Sequence, residues 1–138
     1  MTEERPALVR RILVAVDASR HSIAALEAAI ELASRFQAEL LGLYVEDINL
    51  LRLAQLPFAR EIGVFSAGVR RLDVTEVERQ IRVQTVRARR IFESRTGRTT
   101  VQWSFRVTRG SVPQEVVTAA SDADLLVVGR AGWSLLRK

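Results

Sequence analysis

The sequence predicts an α/β domain built on a mainly parallel sheet, and three observations carry that prediction. Short apolar runs alternate with stretches of helical periodicity, in the order strand, helix, strand, helix, strand, helix, strand. The strand runs are apolar nearly throughout, as in strands buried on both faces. The 138 residues, 48% hydrophobic and 27% charged, suit one soluble domain with a real core. A single domain over 1–138 is expected, with helices on both faces of the sheet and right-handed crossovers.

Each element has a local reason. Residues Arg10 to Asp17 ("RRILVAVD") form the first strand. In the helix that follows, Leu26, Ala29, Ile30 and Ala33 recur on one face, with Ser19 or Ser22 available as N-cap. "AELLGLYVED" is the second strand. Between Glu78 and Arg98 a second helix places Val77, Ile81, Ala88, Ile91 and Phe92 inward and Arg79, Arg82, Arg87, Arg89 and Arg90 outward, ending near Gly97. Thr99 to Gly110 is the third strand, with Gly110 serving the turn that leaves it. A short helix then begins with Ser111 and Gln114 at capping-box spacing and Pro113 in its first turn, where a missing N–H costs nothing. "DLLVVG" is the fourth strand.

Composition narrows the function. Without cysteine there is no disulfide, thiol nucleophile or thiolate metal site. The start is polar and carries acids, unlike a secretory signal, and no apolar run approaches the ~20 residues of a membrane span. A cytoplasmic protein without membrane contact is expected. Net charge is +5, and Lys138 is the only lysine. The arginine-rich helix face reads as solvated rather than as a phosphate-binding stripe, so nucleic acid is not the expected partner. His21, the one histidine, reads as a surface residue. No acid–base pair, metal spacing or Ser-His-Asp arrangement is legible. An enzyme is not expected from these residues.

Ligands of open α/β sheets bind beyond the carboxyl ends of the strands, where strand order reverses. Two strand ends are chemically unusual: the first closes on Asp17, the fourth on Gly129. With strand order 3-2-1-4 these ends are neighbours, and Asp17 faces the turn Gly129-Arg130-Ala131-Gly132 across one cleft. Asp17 reads either as ligand-facing or as an acid that starts a helix. The glycine turn reads either as a phosphate approach or as a tight turn without a ligand. Arg130 could meet phosphate or simply be solvated.

"ILVAVDAS" near the start and "GSVPQEVVTAASDADLLVVGRAG" near the end resemble the universal stress protein family, over roughly Arg11 to Gly132. The resemblance implies an adenine-nucleotide-hydrolase-like fold, order 3-2-1-4, and a regulatory role through an adenine nucleotide, ATP with magnesium or AMP. It implies that Asp17 lies near the adenosine, with Ser19 beside it as cap or contact. Main-chain groups at Val45 would hold the adenine. The family's glycine motif runs G-x-x-G, nine residues, then G with Ser or Thr. Gly129 and Gly132 match its first half, and only six residues follow Gly132. Relative to the family the chain is expected to be C-terminally incomplete, without the fifth strand. Losing two charge-assisted phosphate contacts of ~1.5–3 kcal/mol each lowers triphosphate affinity roughly a hundredfold or more.

One apolar segment fits none of this. Ile48 to Leu72 carries Leu50, Leu51, Leu53, Leu56, Phe58, Ile62, Val64 and Phe65. It reads as a lid over the cleft, as a subunit interface, as a segment packed on the missing C-terminal part, or as a helix on its own sheet. It therefore supports a second function class, a protein-interaction or scaffold domain without ligand. A homodimer or another protein partner is expected on that reading.

Overall fold

The computed structural model describes residues 8–17, 20–49 and 74–129. In chain order they form β1 (Arg11–Ala15), α1 (Arg20–Phe36), β2 (Glu39–Asp47), α2 (Val74–Thr96), β3 (Trp103–Gly110), α3 (Val112–Ala120) and β4 (Leu125–Val127). The four strands form one sheet in the order β3-β2-β1-β4, and every pairing is parallel. Arg11 is in register with Glu39, and Ile12 with Leu125. The expected fold class, strand order and element order all hold. Among the described residues no helix is long and apolar enough to cross a membrane.

Side chains alternate across a strand, so each strand feeds two cores. Ile12, Val14, Val16 and Leu40 point to one face, where Ala25, Leu26, Ala29 and Ala33 of α1 and Phe92 of α2 bury them. Leu13 and Leu43 point to the other, against Ala119 of α3. Phe92 is fully buried, with its ring 5.4 Å from Trp103 and 5.2 Å from Phe105 between centroids. It needs Gly42 beneath it, because a Cβ there would stand 2.4 Å from the ring. Burying such a side chain is worth about 1.5–3 kcal/mol, so α2 is held chiefly by its inward stripe. Val77, Ile81, Ala88, Ile91 and Phe92 occupy that stripe, and the five outward arginines are exposed, as the periodicity requires.

The ends of the elements depart in detail from sequence expectation. α1 closes through Gln37 at φ 54°, with the Ala38 N–H donating to the Ala33 carbonyl at 2.9 Å. Thr99 to Gln102 are not strand: the Thr99 hydroxyl donates to the Thr96 carbonyl at 2.8 Å and accepts from the Val101 N–H, making a turn before β3. Ser111 is the N-cap of α3, but its side chain makes no cap bond, so the Ser111–Gln114 capping box does not form. The Ser111 carbonyl instead accepts the Glu115 N–H at 2.9 Å, while Pro113 occupies the first turn as expected.

Polar contacts fix the strands laterally. Arg11 donates to Glu39 at 2.6 Å across the β1–β2 register. One carboxylate oxygen of Asp124 accepts the main-chain N–H groups of Arg10 at 2.8 Å and Arg11 at 3.0 Å. Those two bonds hold the Asp124 carboxyl below the usual carboxylate range. At the far side of the sheet, Arg109 donates twice to Glu78 of α2 at 3.0 Å and once to Glu46 of β2 at 3.1 Å.

Candidate functional site

Strands of a parallel sheet all end on the same side, and here the ends of β1, β2 and β4 surround a cleft of about 250 Å³. The order 3-2-1-4 produces it. The chain leaves β1 toward α1 on one face, and α3 returns to β4 on the other, so the two crossovers part beside β1. Asp17, Val45 and Gly129 all line this cleft. The juxtaposition of Asp17 with Gly129, expected from strand order alone, is present. Ser19, Arg130 and Gly132 lie outside the described residues, as does most of the apolar Ile48–Leu72 segment.

Two contacts set the geometry at the β1 end. The Asp17 N–H donates to the Ser22 hydroxyl at 2.7 Å, and Ser22 is buried within the first turn of α1. Ser22 therefore lies inside the helix and is not its N-cap; its hydroxyl holds the strand-to-helix bend instead. Gly129 has a packing reason of its own. A Cβ there would stand 2.9 Å from the His21 carbonyl oxygen and 3.3 Å from the Ser22 nitrogen. The end of β4 thus lies directly against the α1 main chain, and only glycine permits that approach. His21 is exposed, as its position suggested, yet it also lines the cleft.

The β2 side is closed by Tyr44 and Val45. The β1–β2 ladder reaches the Leu43 carbonyl, which accepts the Val16 N–H at 2.9 Å. Strand alternation directs the Val45 main chain to the same side. Tyr44 is half-buried, and burial is the chief cause that raises its phenol pKa; the carboxylates of Glu46 and Asp17 raise it further, against a hydrogen bond with Thr85. At neutral pH the phenol keeps its proton. Thr85 in turn sits 2.6 Å from a Glu46 carboxylate oxygen, and Glu46 meets Arg109. A polar chain therefore runs from the cleft wall through α2 to β3. α3 completes the wall with Val112 and Val116, so the segment after Gly110 does border the site.

Sequence reasoning missed Tyr44, and it missed the tie between Ser22 and Asp17. Tyr44 occupies an apolar strand where its phenol has no visible partner, because Thr85 lies 41 positions away. Ser22 looks like any serine at a helix start. Among the described residues no group of three or more His, Cys, Asp or Glu side chains is placed to hold a metal ion.

The universal stress protein family model matches residues 9–138 of the chain. No curated protein matches it by sequence. Among solved structures, a universal stress protein family member from Burkholderia pseudomallei superposes with a TM-score of 0.65 at 26% identity, covering 96% of this chain and 92% of that one. UspA from Lactobacillus plantarum shares the fold with a TM-score of 0.64 at 22% identity, covering 87% and 76%. The chain belongs to the universal stress protein family.

Proposed function

We propose that this universal stress protein domain is a regulatory module that binds an adenine nucleoside or nucleotide in the cleft between β1, β4 and α3. The observation that carries the reading is the convergence of Asp17, Val45 and Gly129 on one concavity at the strand ends. Each supplies a different chemistry. Asp17 offers a carboxylate to ribose hydroxyls, the Val45 main chain offers a strand edge to the adenine, and Gly129 lets the chain turn close to an anion. Val112 and Val116 give the base an apolar wall, and the protonated Tyr44 phenol adds a donor. Ligand clefts commonly run from about 300 to 1,000 Å³, and about 250 Å³ here, just below that range, is room for a nucleoside-sized group. Magnesium would arrive with a triphosphate and be held mainly by its phosphates, Asp17 being the cleft carboxylate that could join them.

Calorimetric titration with adenosine, AMP and magnesium ATP tests the reading. At least one ligand binds with a Kd on the order of micromolar. Asp17→Ala weakens that binding about tenfold or more. No heat from any of the three, at concentrations where a millimolar Kd would register, overturns the proposal.

A further inference from the structure

The outward face of α2 carries a pattern unrelated to the cleft. With Ile81, Ala88 and Phe92 turned inward, 100° per residue brings Arg79, Val83, Val86 and Arg90 to the opposite side, at i, i+4, i+7 and i+11. Val83 is 44% exposed and Val86 48% exposed. The centre of the face is therefore apolar, with Arg90 at one end, Arg79 beside Glu76 at the other, and Arg82 and Arg87 on its flanks.

The charges on this face differ from those on the sides of the helix. Arg95 pairs with Glu27 of α1, and Arg89 lies over the Phe105 ring at 4.8 Å with Glu93 3.9 Å away. Those arginines serve the fold. Arg79 is partly neutralised by Glu76 at 2.7 Å. Arg82, Arg87 and Arg90 make no ion pair among the described residues. Glu78, which is near Arg82, is already held twice by Arg109.

We propose that this face docks an acidic amphipathic helix of a partner protein. Two exposed valines one turn apart make a ridge that a facing helix can straddle, and the arginines around them call for carboxylates on that helix. The span from Arg79 to Arg90 is about 16 Å along the axis, or three turns of a partner. A merely solvated face would be polar at its centre. A helix lying on an anionic membrane presents Trp, Phe or Leu for insertion, and two valines are a poor substitute. A phosphate backbone would meet the arginines but leave the valines facing charge.

The test uses the full chain and three labelled helical peptides of about 18 residues, long enough to hold helical structure. They share one leucine face and differ only in a polar face that is acidic, neutral or basic. The acidic peptide binds with a Kd of roughly 10–100 μM, at least tenfold tighter than the neutral one, and the basic peptide does not bind. Arg82→Glu with Arg90→Glu weakens the acidic peptide about tenfold or more, and Val83→Ser with Val86→Ser weakens it several-fold. Since all four side chains are exposed, the unfolding transition stays in place; Arg82→Gln with Arg90→Gln serves should charge reversal disturb folding. Equal affinity for the three peptides overturns the proposal, and so does undiminished binding by the arginine variants. Binding of duplex DNA or phosphatidylserine vesicles without the acidic peptide also overturns it.

Discussion

The two faces of the sheet are built to different standards. On one, α1 and α2 bury Ile12, Val14, Val16 and Leu40 beneath a continuous layer that ends in the Phe92 ring set over Gly42. On the other, among the described residues, α3 covers Leu13 and Leu43, and its nine residues leave Val117 69% exposed, with Leu126 and Val128 of the β4 end 39% and 40% exposed. The cleft lies at the strand ends between the two layers, with His21 and Ser22 of α1 on one side and Val112 and Val116 of α3 on the other. A tightly filled layer holds the strand ends in position, and the thinner layer leaves room beside them. Dense packing admits no ligand-sized void, so the site sits at the strand ends and not within either layer.

A matched pair of substitutions probes the difference most strongly. Leu40 and Leu43 are equally buried, at 1% exposure, on the same strand but on opposite faces. Leu40→Ala costs about 4–5 kcal/mol in urea unfolding because two helices prevent collapse, and Leu43→Ala costs about 2–3 because the α3 side can relax. Equal losses would break the comparison. Next in size is Ser22→Ala, which removes the acceptor of the Asp17 N–H and costs about 1–2 kcal/mol. If Asp17 reads adenosine as proposed, the same change weakens the ligand, since it frees the bend that carries Asp17.

Smaller effects sharpen the picture at the rim. Gln37→Gly stabilises the chain by about 0.5–1 kcal/mol in thermal unfolding, since glycine takes φ 54° without the strain of a side chain. The last prediction concerns pH. Arg109 holds the Glu78 carboxyl below its ordinary value of 4.5, chiefly through the paired hydrogen bonds. The depressed value means that this pair stabilises the fold above pH 4.5 and that the contribution is lost as pH falls through the lowered pKa. Arg109→Gln therefore lowers stability at neutral pH, flattens the acid limb of the profile, and changes it little below the lowered pKa. An unchanged acid limb would show that Glu78 titrates as a free carboxylate.

Much of the fold was legible because it depends on local period and order. Continuous apolar runs gave the strands, the helical stripe of Val77 to Phe92 gave α2, and alternation gave the parallel sheet. Asp17 opposite Gly129 followed from strand order without any contact being known. What stayed hidden depends on residues far apart in the chain. Nothing in the spacing of Gly129 says that it lies against His21, 108 positions earlier; the sequence leaves a phosphate approach and a tight turn equally open. Ser22 and Ser111 show the same limit at helix starts. A serine there has several acceptable partners, and tertiary contacts decide which one it takes. Val83 and Val86 were passed over because a helix rich in arginine reads as polar on its outer side, whatever lies between the charges.

The bonds from Asp124 to the main chain of Arg10 and Arg11 bear on the order in which the molecule is made. β1 leaves the ribosome before both of its neighbours in the sheet, and its partner β2 follows after a single helix. Its other neighbour, β4, is synthesised more than a hundred residues later. Until β4 is made, β1 is an edge strand, with one row of peptide groups open to other chains. Asp124 arrives immediately before β4 and grips the two residues where β1 begins, so it closes that row from its first rung. Asp124→Asn should therefore show itself more in the yield of soluble protein during synthesis than in the equilibrium stability of chains already folded.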